Sequence, residues 1–411
     1  MKKNVMWNTV GSIFYCFCQW LITIVVVHIA SYADAGYLSL AMTTSSSFSA
    51  ISLFSMRNYQ VSDVVGEFRT DTYVGSRVLT CVIALVSCTA VGFWSNSLQQ
   101  ALCINAFMLV RIAEGIVDVL HGINQKYEKY NYIGISYILR GIATIVSFVV
   151  VLIASGDLVL TLYIMAFANL LVAVVFDCRK TYGLERFRPE LWGRKMWELL
   201  RKCFPIVIFT FLLSLENLIP KNILQQQFGA EELGIYSSIA SPTLVVQVFA
   251  NVAFNPFLPQ FSLLYNRGDI KKLKQMLHKV YFFMVSMCIL VSLGVLVFGR
   301  LGLQILFGEN ILKYYYLFYP IVWCTILTAI IYVLSAIMIA LRRTVALVVG
   351  MIIDFGICVY LAPGFIAQYE KNGVSLIQIL VLAIYIVFLL IICEYVIRRK
   401  EKRVEKHTRV K

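Results

Sequence analysis

Apolar runs of about 20 residues recur along the whole chain, and a run of that length crosses a hydrocarbon layer of roughly 30 Å as a helix. They fall at residues 5–30, 36–57, 74–95, 98–122, 132–154, 157–178, 203–228, 232–258, 278–300, 312–341, 344–362 and 374–397. The pattern predicts an all-α membrane protein with twelve transmembrane helices. Polar positions inside the runs form stripes. On the first span Asn8, Ser12, Tyr15, Gln19 and Thr23 lie within about 80° of one another at roughly 100° per residue. Ser214, Asn217, Lys221 and Gln225 do the same on the seventh.

These stripes correspond. Sliding the second half back by 198 residues pairs Gln19 with Asn217, Thr23 with Lys221, Gly36 with Gly234 and Ser39 with Ser237. The second and eighth spans also agree in having a hydroxyl-rich segment, Thr43 to Ser47 against Ser237, Ser238, Ser241 and Thr243. We therefore expect two six-helix lobes related by an internal repeat, residues 1–178 and 203–397, with a substrate path between them. A basic interfacial linker at 179–202, carrying Trp192 and Trp197, and a basic tail at 398–411 complete the plan.

Composition excludes the soluble alternatives. The 411 residues are 60% hydrophobic and 14% charged, against about 25% charged in soluble domains. The formal charge of +14 from 36 Lys and Arg is arranged by side. Only Arg300, Lys313 and Lys371 fall on one face of the membrane, and Arg111, Arg140 and Lys221 lie inside spans. All other basic residues share the second face, so the positive-inside rule makes both termini cytoplasmic and the chain a multi-pass protein of the cytoplasmic membrane. The basic blocks abut apolar spans, which suits anionic membrane lipids and not nucleic acid. Lys2 and Lys3 before an apolar stretch superficially resemble a signal peptide, but the stretch is too long and holds Gln19, Thr23 and His28, as an uncleaved span would. Eleven dispersed cysteines and four scattered histidines offer no metal site and call for no cofactor.

The most specific feature is the fourth span, where Arg111, Glu114, Asp118, His121 and Gln125 occupy one helix face. Charge at bilayer depth is costly unless paired or hydrated. Arg111 and Glu114 can pair three residues apart, whereas Asp118 needs another partner, and Arg140 on the fifth span is the nearest in sequence. The face reads either as a polar lock between helices or as the lining of a path for an anionic, hydroxylated substrate. Arginine suits phosphate through its bidentate donors. Glu216 beside the seventh-span stripe and Asp354, alone on the eleventh span, are candidates to carry a coupling ion, H+ or Na+, and Asp354 reads equally as a neutral carboxyl hydrogen-bonded in a helix contact. Arg57, Gln60, Asp63 and Arg77, around the basic end of the second span, read as a cytoplasmic gate or as charged helix ends at headgroup level.

The segment Met56-Arg57-Asn58-Tyr59-Gln60-Val61-Ser62-Asp63, the Arg111-x-x-Glu114-Gly115-x-x-Asp118 helix and the Ile133-Gly134-Ile135-Ser136 to Leu139-Arg140-Gly141 run resemble bacterial oligosaccharide-lipid flippases. These form the polysaccharide-transporter branch of the multidrug, oligosaccharidyl-lipid and polysaccharide exporter superfamily. The resemblance implies a carrier that moves an undecaprenyl-diphosphate-linked oligosaccharide from the cytoplasmic to the outer leaflet by alternating access. It also implies cationic cavity residues, for which Lys221, Arg111 and Arg140 stand as candidates, since neither the first nor the eighth span contains an arginine. Gln19, Thr23, Glu114, Asp118, Asn217 and Gln225 would line the same path. Drug and organic-cation antiporters of that superfamily are the alternative. A membrane glycan polymerase or ligase is less consistent with outer connections of only a few residues, and the reading is therefore of a transporter, not an enzyme.

Overall fold

The computed structural model describes residues 2–63, 66–243, 261, 263–265 and 269–410, and these are almost entirely helical. In order they form α1 (Lys2–Ile29), α2 (Tyr32–Leu53), α3 (Met56–Ser62), α4 (Thr70–Ser95), α5 (Leu98–Lys126), α6 (Tyr130–Ser155) and α7 (Leu158–Val172). A π turn, Ala173–Cys178, carries α7 into the short α8 (Arg179–Tyr182). Then come α9 (Arg194–Phe228), α10 (Ala230–Ala240), α11 (Ile270–Phe307), α12 (Phe318–Ala340) and α13 (Thr344–Val410). The last is broken at Glu370, where φ is 49°, so that it accounts for both the eleventh and the twelfth predicted spans. Among the described residues eight helical stretches are long and apolar enough to cross a membrane. The span expected at 232–258 begins as α10 and a 3-10 turn at Ser241–Thr243, and the rest of it lies outside the described residues. The protein is a multi-pass α-helical membrane protein.

The hydroxyl-rich α2 remains a helix because its side chains satisfy themselves. Thr43, Ser45, Ser47, Ser49 and Ser52 each donate to the carbonyl three or four residues back. Helices approach closely where glycines meet. A β-carbon on Gly11 would lie 2.3 Å from the Gly134 carbonyl, which is why α1 and α6 can cross there. A second crossing joins α2 and α10: Gly36 abuts the Ala230 carbonyl and Gly234 abuts the Tyr32 carbonyl, two reciprocal contacts in which Gly36 and Gly234, like Tyr32 and Ala230, stand 198 residues apart.

Contacts divide the chain into Met1–Gly234 and Ile235–Lys411. This boundary lies beyond the 179–202 linker because α9 packs along α2 and α4. In the first unit an apolar cluster of Met56, Phe68, Tyr73, Leu120, Ile123, Met196 and Leu199 ties α3, α4, α5 and the start of α9 together. The linker docks on the start of α4, where the Asp71 carboxylate accepts from the Arg188 amide and the Thr72 hydroxyl donates to Glu190. In the second unit Tyr236 and Ser375 share a hydrogen bond of 2.9 Å and Lys274 pairs with Glu401 at 2.7 Å.

Candidate functional site

The candidate site grows from the way α2 ends. A helix leaves its last carbonyls without internal partners, and α2 stops abruptly because Phe54 and Ser55 both adopt left-handed backbone, at φ 48° and 51°. The orphaned Ser52 carbonyl is taken by Arg77 of α4 and by the Thr80 hydroxyl. The same break turns α3 so that Arg57 faces α5. Arg77 then donates to Asp118 at 2.7 Å, while Arg57 reaches the other Asp118 oxygen at 3.5 Å and Gln125 at 3.3 Å.

One turn toward the start of α5 a second network forms. Arg111 donates to Glu114 at 2.7 Å and to Ser46 of α2 at 3.1 Å. The Tyr15 hydroxyl donates to the other Glu114 oxygen and accepts from Gln19 at 3.0 Å and from Arg140 at 3.1 Å. The Arg140 guanidinium also lies 4.9 Å from the center of the Tyr15 ring, a favorable cation–π geometry. Arg140 therefore completes Glu114, and Asp118 finds its partners on α3 and α4. Sequence proximity had pointed from Asp118 to Arg140, but α6 packs against α1 and directs Arg140 to the Tyr15–Glu114 pair.

A cavity of about 570 Å³ opens beside these networks, within the size range of small-molecule sites. Ser46, Ser49 and Ser55, Arg57, Asp118 and Gln125 line it, and α9 adds Thr210 and Ser214. Its chemistry is that of hydroxyls around one ion pair. Of the seventh-span stripe, Ser214 alone reaches this cavity. On α9 Asn217 is exposed, Lys221 half-buried, and Glu216 and Gln225 buried. Thr23 donates to its own helix at the Trp20 carbonyl. Asp354 is buried in the second unit.

The four residues read as a gate separate into two kinds. Arg57 and Arg77 converge on Asp118, whereas Gln60 is buried against Gly122. Asp63 caps the loop that follows α3, accepting from the amides of Glu67 and Phe68 and from the Tyr73 hydroxyl. Burial pushes the Asp63 carboxyl up, but those donors outweigh it and hold it below the usual carboxylate range. Glu67 is held low chiefly by its bond to Lys202.

One pair was not legible in the sequence. His121 shares the charged face of α5, yet its Nε2 turns to Asp177 Oδ1 at 3.5 Å, and both side chains are 1% exposed. Asp177 sits at the basic end of an apolar run and reads as a headgroup charge until the π turn is seen to swing it inward.

A family model described as polysaccharide biosynthesis protein matches residues 1–264 of the chain. The capsular polysaccharide biosynthesis protein CapF of Staphylococcus aureus is 25% identical over 322 residues, 75% of this chain and 78% of that protein. In fold the chain is similar to the inward-facing conformation of a multidrug resistance MATE family transporter of the MOP superfamily, with a TM-score of 0.71 at 13% identity, covering 97% of this chain and 99% of the other. It is also similar to the lipid II flippase MurJ in an inward closed conformation, with a TM-score of 0.70 at 11% identity over 95% and 87% of the two chains. The sequence resemblance and the fold agree, and the chain belongs to the polysaccharide biosynthesis protein family.

Proposed function

We propose that this protein is a flippase that carries an undecaprenyl-diphosphate-linked oligosaccharide from the cytoplasmic to the outer leaflet by alternating access, for assembly of a cell-surface polysaccharide. The observation that carries this reading is the charge balance on α5. Four guanidiniums, of Arg57, Arg77, Arg111 and Arg140, meet two carboxylates, Glu114 and Asp118, beside a cavity lined with hydroxyls. The cationic surplus suits an anionic diphosphate, and the hydroxyls and Gln125 suit sugar. An organic cation would meet repulsion there, which disfavors the antiporter. No catalytic role is needed for any of these residues, so the protein acts as a carrier and not as an enzyme. The basic connections, read by the positive-inside rule, support cytoplasmic termini. Arg57 contacts cargo at the cavity, Arg111 and Arg140 set the positive field behind it, and Lys221 with Asn217 and Gln225 extends the polar path along α9.

The test is flipping of a fluorescent lipid-linked glycan by the reconstituted protein. Arg57→Ala, Arg111→Ala and Lys221→Ala should each lower the rate roughly tenfold or more at equal abundance, the cost of one charge-assisted hydrogen bond. Undiminished flipping in all three overturns the cavity assignment, and dye extrusion without glycan flipping by the parent protein overturns the cargo.

A further inference from the structure

On α7 and its continuation the buried polar and small positions Asn169, Ala173, Asp177 and Thr181 recur at every fourth residue. A regular α-helix drifts about 40° over each such step, which would carry Asp177 and Thr181 away from α5. The wider π turn at Ala173–Cys178 absorbs that drift. Thr181 thereby donates to Asn124 of α5 at 3.2 Å, and Asp177 is set opposite His121. The helix departs from its regular form to hold a carboxylate against an imidazole at a depth where neither is more than 1% exposed.

The contact is not that of a closed structural lock. At 3.5 Å it is longer than the usual N–H···O range, and Asp177 Oδ2 has no hydrogen-bond partner among the described residues. An ionized carboxylate so placed is costly unless compensated. The surrounding groups are Tyr137 of α6, its ring 5.1 Å from the imidazole, Arg140 of α6 and Arg57 of α3. Arg77 of α4 and Glu114 and Asp118 of α5 are already committed to the two networks described above.

We propose that His121 and Asp177 together form a proton-binding site, loaded and emptied during transport. Without the extra proton the pair carries one negative charge. With it the pair is neutral, whether the proton rests on Nε2 or on the carboxylate. Loading therefore removes a negative charge from beside Arg140 and strengthens the positive field behind the cavity, so proton and anion binding reinforce one another. The coupling to cargo rests on the transporter reading, but the proton site itself does not.

The test of the site needs no cargo. Proton uptake by the purified full-length protein is measured in detergent between about pH 8 and about pH 5, the window in which imidazoles titrate. Asp177→Asn and His121→Gln should each take up one proton per chain fewer than the parent, and the double variant should lose no more than either alone. Additive losses, or an unchanged count in Asp177→Asn, overturn the shared site. Should either variant fail to fold, the parent in which His28, His278 and His407 are all replaced by Gln keeps His121 as its one imidazole. Nitrogen-15 histidine spectra must then show that imidazole changing state in the same window, and an invariant signal overturns the proposal. In vesicles, flipping by the parent should respond to an imposed pH gradient and that response should vanish in Asp177→Asn. A retained response overturns the coupling even where the proton count supports the site, whereas a parent that flips no glycan while showing the shared proton overturns the cargo reading alone.

Discussion

Arg77 and Arg57 share Asp118, and the proposed function gives them different roles that one pair of substitutions separates. Arg77 is 1% exposed and bonds both the Asp118 carboxylate and the orphaned Ser52 carbonyl. Removing one partner of a buried ion pair costs about 3–5 kcal/mol. Asp118 is 20% exposed and keeps Arg57, so the lower end applies, about 3 kcal/mol. At roughly 2–4 °C per kcal/mol for a unit of this size, Arg77→Ala should lower the melting midpoint by about 6–12 °C. Arg57 is 24% exposed with longer bonds, so Arg57→Ala should cost about 1 kcal/mol or less and leave the midpoint within roughly 4 °C of the parent. The assay is a thermal melt of the detergent-purified protein, run beside the flipping measurement. Arg77→Ala should reduce transport in proportion to lost folded protein, whereas Arg57→Ala should reduce it in a fully folded chain. A midpoint for Arg77→Ala within about 2 °C of the parent, or an equal fall for Arg57→Ala, would refute the division of labor.

Two further outcomes follow from the same kind of physics. Replacing a helical glycine by alanine ordinarily gains about 1 kcal/mol, but a methyl group at Gly36 would stand 1.9 Å from the Ala230 carbonyl; Gly36→Ala should therefore lower the melting midpoint, and a raised midpoint would show that the close crossing is absent in the membrane. Asp63 has its folded value depressed by the amides of Glu67 and Phe68 and by Tyr73, so its stabilization is complete above the unfolded carboxylate value near pH 4 and is lost as pH falls through the folded value. Asp63→Asn should accordingly melt below the parent at pH 7 and approach it below about pH 4, and a difference that is flat across that range would count against the loop cap.

How much of the site could be read beforehand depended on whether a partner lay on the same helix. The Arg111–Glu114 pair is three residues apart on one face of α5, so helix geometry alone predicts it. The Tyr15–Glu114 and Arg77–Asp118 contacts join residues far apart in sequence, and nothing local says which arginine meets which carboxylate. The hydroxyl run of α2 illustrates the reverse: its polarity is conspicuous in the sequence, yet most of it is spent on its own backbone, and Ser46 is the member that bonds Arg111.

Hydropathy by itself determined that the chain is a bundle of membrane-crossing helices, because length and apolar character set the cost of crossing a bilayer and need no partner to be evaluated. The offset of 198 residues equates Gly36 with Gly234, but that the two glycines meet is a matter of helix crossing and visible only in the structure. What only the tertiary structure decided was the fate of each buried charge. The break at Phe54 and Ser55 aimed Arg57 into the cavity, the packing of α6 on α1 gave Arg140 to Glu114, and the π turn brought Asp177 to His121. Each depends on a backbone departure or a helix crossing, and ion pairing falls off over a few ångströms, a scale that spacing along one helix cannot resolve across two.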